Sequence, residues 1–254
     1  MTNFSEHTAV VLLAGYGSRL SGLTRDPKSL LKVGDRSILK RHLAAFRRLG
    51  FRRVVLVVGY RKDLVIAEAG AAADALEIHV VANDDYERKG NGCSLLMGLE
   101  AAKGAVVVFD GDLVYSPSIL ERFMAGSARN AVLIGPAAMD DVECTKALTD
   151  ETNHVRKMVD KRLISDEELI AHRFAGEAIG VMKFDDAHRL HLIELLRDYY
   201  SEENRLLHNW EHPLNRFIAR HDVAGHHEAS EDWIEIDTPE DFEAACAKAD
   251  RLDS

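Results

Sequence analysis

An α/β fold is what this sequence predicts: a mainly parallel sheet flanked by helices, with a small mixed α+β insertion. Three observations predict it. Short apolar runs, each the length of a strand buried on both faces, recur at residues 9–13, 54–58, 78–81 and 105–109. Stretches of helical spacing lie between them, as a parallel sheet requires. From about residue 131 that rhythm gives way to short runs without intervening helices, the mark of antiparallel pieces.

The run at 9–13 leads directly into Leu13-Ala14-Gly15-Tyr16-Gly17-Ser18-Arg19-Leu20, with Pro27-Lys28-Ser29 close behind. Glycines after a buried strand leave backbone N–H groups free to face an anion, and Arg19 and Lys28 add positive charge. This loop is therefore a candidate phosphate site. A dinucleotide fingerprint would need glycine where Leu20 stands, and in the P-loop-like stretch Gly22 to Ser29 the lysine is preceded by Pro27, which has no N–H to offer.

Residues 38–49 have helical spacing that stops at Gly50, and 54–58 is the next strand. An Ala-rich helix is expected at about 64–75, a strand at 78–81, a helix at about 94–102 and a strand at 105–109. Strands are then expected at 131–134, 144–149, 155–159 and 178–184, and helices at 188–200 and about 206–218. A strand at 233–237 and a helix opening at Pro239 complete the pattern. One domain over 1–254 is expected, with a core at about 8–137 and 233–250 and an insertion at about 138–232 that finishes the pocket.

A chain of 254 residues with 46% hydrophobic content can bury a substantial core. Its net charge of -10 opposes binding to nucleic acid or an anionic membrane, so an anionic ligand must be captured by a local basic cleft. Cys93, Cys144 and Cys246 lack metal-ligand spacing, which suits a reduced, cytoplasmic setting. No apolar run approaches the ~18 residues of a membrane span, and residues 1–7 lack the order of a secretion signal. The histidines form no metal motif: in His208-Asn209-Trp210-Glu211-His212 the glutamate is misplaced for a zinc-protease helix.

Two acidic segments sit where strands should end, and open α/β sheets bind ligands at those carboxyl ends. One is Val106-Val107-Val108-Phe109-Asp110-Gly111-Asp112; in the other, Trp233-Ile234-Glu235-Ile236-Asp237-Thr238, alternation puts Glu235 and Asp237 on one face. Asp112, Glu235 and Asp237 could supply hard oxygen ligands to Mg²⁺. The plainer alternative makes Asp110 and Asp112 a turn and Asp237 a helix cap. The basic loop tips the balance towards metal, because nucleotide chemistry needs both.

The order Leu-Ala-Gly-Tyr-Gly-Ser-Arg-Leu, then Leu-Thr, then Pro-Lys-Ser-Leu, resembles the signature of nucleotidyltransferases that make sugar nucleotides and CDP-alcohols. Lys89-Gly90-Asn91-Gly92-Cys93-Ser94-Leu95-Leu96 and Gly111-Asp112-Leu113-Val114-Tyr115-Ser116 are similar to inositol-1-phosphate cytidylyltransferases. Gly176-Glu177-Ala178-Ile179-Gly180, Trp210-Glu211 and Glu235-Ile236-Asp237 resemble phosphocholine and 2-aminoethylphosphonate cytidylyltransferases. The resemblance spans about 10–242 and is loosest in the acceptor region.

It implies a Rossmann-like nucleotidyltransferase sheet and an Mg²⁺-dependent transfer of CMP from CTP to a small phosphorylated or phosphonate alcohol. Leu13, Ala14, Gly15, Tyr16, Gly17, Ser18, Arg19 and Lys28 would hold the nucleotide phosphates. Asn91 and Ser94 would contact base or ribose, unless Asn91-Gly92 is only a turn and Ser94 a helix cap. Asp112, Glu235 and Asp237 would bind the metal, with Asp110 stabilising the loop. Arg19, Lys28 and Lys146 would neutralise reacting anions; Lys146, Lys161, Glu177, Trp210 and Glu211 would meet the acceptor. An aromatic ring beside a carboxylate suits an amine head group, although Trp210 could equally be core. A sugar-1-phosphate uridylyl- or guanylyltransferase is the alternative enzyme, and a non-catalytic nucleotide-binding regulator the alternative of another class. Oligomeric state stays open, a homodimer included.

Overall fold

In the computed structural model, which describes residues 4–253, the first strand β1 (Thr8–Leu13) is buried at every position. Its valines and leucines face both ways, so it must lie inside a sheet covered on both sides; each such side chain contributes about 1.5–3 kcal/mol on burial. After it come strands β2 (Lys32–Val33) and β3 (Arg36–Ser37), helix α1 (Ile38–Arg48), strand β4 (Arg53–Val58), helix α2 (Lys62–Ala71) and strand β5 (Glu77–Ala82). Helix α3 (Asn91–Ala101), strands β6 (Val106–Asp110) and β7 (Leu113–Tyr115), and helix α4 (Pro117–Ala125) complete the first half.

The second half opens with strands β8 (Ala131–Gly135), β9 (Lys146–Thr149) and β10 (Val155–Val159), helix α5 (Asp166–Ala171) and strand β11 (Arg173–Phe184). Helices α6 (Asp186–Tyr199) and α7 (Glu211–Ile218), strands β12 (Ala224–His227) and β13 (Trp233–Glu235), and helices α8 (Pro239–Ala247) and α9 (Ala249–Leu252) follow.

The predicted class is the observed one. β1 pairs in parallel with β4 and β6, and β4 with β5, so these strands end together at one edge of the sheet. The 12-residue β11 then runs antiparallel to β6, β8 and β9. It is longer than the expected 178–184, because register shifts at Ala178/Met182 and Phe174/Gly176 bend it from one set of partners to another.

Alternation along β1 builds two cores. Val10 and Leu12 pack with Leu99 of α3, Leu196 of α6 and Phe217 of α7; Val11 and Leu13 pack with Leu43 and Phe46 of α1 and Val65 of α2.

Two expectations need correction, and one helix was not foreseen. The strand around Trp233 is not in the main sheet: β13 pairs antiparallel with β7, which had no predicted counterpart. The helix expected over 206–218 begins only at Glu211, after a 3₁₀ turn at Glu203–Arg205. Helix α4 was missed although Ser116 caps it and Pro117 occupies its first turn, a readable start signal. Among the described residues no helix is long and apolar enough to cross a membrane.

Candidate functional site

A cleft of about 380 Å³ opens at the carboxyl ends of β1 and β6, lined on one side by Leu13, Ala14, Gly15, Gly17 and Lys28. Gly17 has φ +67°, a left-handed turn that residues with a side chain adopt at a cost, and it reverses the chain into a 3₁₀ turn carrying Arg19. Gly111 permits another close approach: a Cβ there would lie 2.3 Å from the Leu12 carbonyl oxygen. Without that contact Asp112 would not sit against the loop.

Lys28 joins the loop to the acids. Its Nζ lies 2.7 Å from Asp112 Oδ2 and 2.8 Å from Asp237 Oδ1. Arg19 Nη2 is 2.9 Å and Lys161 Nζ 3.6 Å from Asp237 Oδ2. Burial works against the Lys28 charge, but Asp112 and Asp237 outweigh it and hold its pKa above the usual lysine value. Burial also raises Asp237, yet Lys28, Arg19 and Lys161 prevail and its carboxyl stays below the ordinary range.

Asp112, Glu235 and Asp237 offer carboxylate oxygens that all lie within 4.8 Å of one another. Antiparallel pairing of β13 with β7, extended by Ile236 N–H donating to Asp112 O at 3.1 Å, brings these distant segments together. Burial first, then Asp112 and Asp237, push Glu235 up to about 8. Asp110 at the floor is raised well above the carboxylate range, again by burial, then by Asp112, Glu235 and Glu211. Asp112 Oδ1 is buried without a hydrogen-bond partner. Crowded acids with an unpartnered oxygen suit a hard divalent cation such as Mg²⁺, which takes carboxylates and phosphate oxygens. Asp237 is not the helix cap; Thr238 takes that role in a capping box with Asp241.

The opposite wall comes from the start of α3 and from the 145–211 region. Asn91 and Ser94 both line the cleft. They lie inside α3, so neither the turn nor the cap alternative holds. Ser94 Oγ accepts from Asn83 Nδ2 at 3.0 Å, and Asn91 Oδ1 accepts from Trp210 N–H at 3.1 Å, tying the two walls. Lys161, Trp210 and Glu211 also line the cleft. Trp210 is both core and wall: 2% exposed, with its Nε1 unpartnered.

Other expected residues lie elsewhere. Lys146 is fully buried, and its Nζ donates to Cys144 O at 3.3 Å and Arg162 O at 3.0 Å, away from the cleft lining. Glu177, raised to about 7 by burial and then by Asp141, faces a neighbouring cleft of about 580 Å³ on the far side of Glu235 and Asp237. Tyr16 turns outwards to Tyr60 at 4.5 Å between ring centroids, and Ser18 is exposed. Thr145, Lys89, Tyr86 and Asn209 line the cleft without having been singled out. Asp160 does not line the cleft but braces two residues that do, with Oδ1 3.3 Å from Thr145 Oγ and Oδ2 accepting from Asn209 Nδ2 at 3.0 Å. Among the described residues no histidine joins a metal-binding group.

A solved inositol-1-phosphate CTP transferase from T. maritima superposes with a TM-score of 0.76, covering 99% of both chains at 20% identity. CTP:phosphocholine cytidylyltransferase from Streptococcus pneumoniae does so at 0.74, covering 96% of this chain and 99% of that one at 19% identity. At such identities the likeness is one of fold. In sequence, a CMP-5'-(3-aminopropyl)phosphonate synthase of Streptomyces rubellomurinus is 38% identical over 125 residues, 49% of this chain and 20% of that protein. A bifunctional IPC transferase and DIPP synthase of Aquifex aeolicus is 28% identical over 239 residues, 94% of this chain and 50% of that protein. The chain thus spans half or less of the length of these two relatives. The MobA-like NTP transferase domain model matches residues 9–224, most of the sequence, and the chain belongs to that family.

Proposed function

We propose that this chain is a Mg²⁺-dependent cytidylyltransferase that moves CMP from CTP to a small phosphorylated or phosphonate alcohol and releases pyrophosphate. The observation that carries the reading is Lys28, which bridges Asp112 and Asp237 at 2.7 and 2.8 Å and so unites a glycine-rich anion loop with a carboxylate trio in one cleft. The relative named for CMP-phosphonate synthesis supports cytidine as the base.

In this reading, the loop amides around Gly15 and Gly17, with Arg19 and Lys28, hold the triphosphate. Asn91 and Ser94 flank the nucleoside, and Lys161 faces the acceptor anion. Residues 138–232 form the acceptor half. Asp112, Glu235 and Asp237 would hold Mg²⁺, which when bound supplies positive charge beside the phosphates. The acceptor oxygen is already anionic and needs no base, so the protein's task is alignment and charge neutralisation in the cleft. Lys146 contributes through the turn it holds rather than by contact.

The test is pyrophosphate release from each of the four NTPs with Mg²⁺ and a panel of phosphorylated and phosphonate acceptors. Product with CTP supports the reading. Product only with UTP or GTP and a sugar phosphate replaces it with sugar-nucleotide synthesis, and binding of nucleotide without release from any mixture makes the protein a regulator.

A further inference from the structure

A third apolar core, separate from the two built on β1, is assembled from segments far apart in the chain: Leu20, Val33, Val114, Ile236 and Leu252, each at most 1% exposed. Leu20 follows Arg19, Val114 stands two positions after Asp112, and Ile236 separates Glu235 from Asp237. The charged side chains that meet in the cleft are thus carried on backbone whose apolar neighbours meet in this core. Leu252 enters it from α9, which is four residues long and lines neither cleft. That helix is nevertheless tied on two sides. Buried Arg41 of α1 donates from Nη1 to Asp253 Oδ1 at 2.8 Å, from Nη2 to Asp253 Oδ2 at 3.2 Å and from Nε to Val33 O at 3.1 Å. A two-pronged pair of this kind fixes orientation as well as distance, and the buried guanidinium would be left undercompensated without Asp253. Arg251 pairs with Asp232, whose carbonyl accepts from Ser116 N–H at 2.9 Å, so the entry to β13 and the exit from β7 are held together. Gly34, in the turn between β2 and β3, has φ +68°, and a Cβ there would lie 3.4 Å from both Ala249 Cβ and Arg41 Nη2. The hairpin that follows Lys28 therefore seats directly against α9.

We propose that α9 is a clamp for the cleft. Through Leu252 and the Arg41–Asp253 pair it holds the loop side, which carries Arg19 and Lys28, in register with the acid side, which carries Asp112, Glu235 and Asp237. Arg41, Leu252 and Asp253 are positioning residues, because none of them lines the cleft. Such a brace answers a local weakness. The acid side is closed by β7 and β13, three residues each, whose few hydrogen bonds leave most of the holding to burial of Val114 and Ile236. Charge-pair geometry across the cleft tolerates little slack, since a misplacement of about 1 Å can cost about a hundredfold in rate. The use of the carboxylate trio as a metal site rests on the reading above; the clamp does not.

The experiment compares, in the full chain, Leu252→Ala with Leu192→Ala, which opens the same kind of cavity in the core under α6. Hydrogen exchange read by mass spectrometry follows the backbone. Residues 19–33 and 233–241 are expected to exchange at least about fivefold faster in Leu252→Ala and to stay within about twofold of wild type in Leu192→Ala. Mn²⁺ binding without nucleotide, counted by electron paramagnetic resonance, follows the acids. Its dissociation constant is expected to rise at least about fivefold in Leu252→Ala and in Asp253→Asn, whereas Leu252→Met, which nearly conserves volume, should stay within about twofold of wild type. Equal exchange of those segments in the two cavity variants, or no change in either, overturns the clamp. Faster exchange with unaltered Mn²⁺ affinity overturns the positioning role. Should Leu252→Ala fail to fold, Asp253→Asn carries both measurements with the same expectations. A wild type that binds no Mn²⁺ but shows the expected exchange pattern keeps the clamp and overturns the metal reading.

Discussion

Lys28 is where three distant parts of the chain meet, and it was visible in the sequence because proline removes the P-loop alternative while leaving the lysine. Its two partners, Asp112 and Asp237, are close enough that one ammonium serves both. Lys28→Met is expected to lower kcat by on the order of 10²–10³, the usual cost of losing one preorganised charge donor, with the melting temperature little changed. Steady-state pyrophosphate release measures it, and near-native turnover would take Lys28 out of the machinery. Lys146 shows the limit of reading single residues. Sequence alone makes any lysine on an insertion strand a candidate contact, but this one holds the carbonyls of Cys144 and Arg162 and so fixes the turn bearing Lys161, whose φ is +41°. Lys146→Met should cost about 1–3 kcal/mol of stability by leaving the buried Cys144 carbonyl and the part-buried Arg162 carbonyl without this donor. It should also raise KM for the acceptor while leaving KM for CTP near native; loss confined to CTP would contradict the positioning role.

At the scale of elements, the decisive unit is a small one. β7 and β13 are three residues each, too short for a periodic signal, yet their pairing closes the carboxylate trio. The capping box at the start of α8 then locks the segment: Asp241 Oδ2 accepts from Asp237 N–H at 3.0 Å and Thr238 N–H at 2.8 Å, while Thr238 Oγ accepts from Asp241 N–H at 3.2 Å. Thr238→Ala should remove about 1 kcal/mol of stability. Because the cap orients Asp237, the variant should also need more Mg²⁺ for half-maximal turnover; a Mg²⁺ titration superimposable on wild type would separate cap from site. The long helices α1, α3 and α6 were legible because their apolar spacing persists for three turns or more. β11 was read too short because its bulges break the alternation that marks a strand.

For the whole molecule, the buried core sets a dependence on pH that has nothing to do with the site. His42 lies between α1 and the sheet among Phe46, Phe109 and Tyr115, and burial pushes its pKa down from 6.5 to about 3. The folded state therefore favours the neutral ring, so stability is intact above pH 6.5 and declines as pH falls towards 3 and the unfolded chain takes up the proton. The slope approaches about 1.4 kcal/mol per pH unit within that window. Denaturant midpoints at pH 7 and pH 4.5 should separate for the wild type and converge in His42→Leu; parallel shifts in both would assign the acid sensitivity to other groups. Ligand linkage offers a second global readout. Mg²⁺ should raise the melting temperature of the wild type and leave that of Asp112→Asn unmoved, since binding to the folded state alone stabilises it by mass action.

By itself the sequence determined the parallel α/β class and marked the glycine-rich basic loop and the acidic segments, because each depends on local pattern: apolar periodicity, glycine placement and charge beside a strand end. Tertiary structure alone decided which of these meet. Whether Lys146 or Lys161 reaches the cleft, whether Glu177 lies beside Glu211 or in a neighbouring cleft, and how Lys28 comes to bridge Asp112 and Asp237 turn on contacts between residues up to 209 positions apart in the chain. Such contacts are selected by burial and pairing of whole elements, and a buried ammonium and a solvated one are written with the same letter.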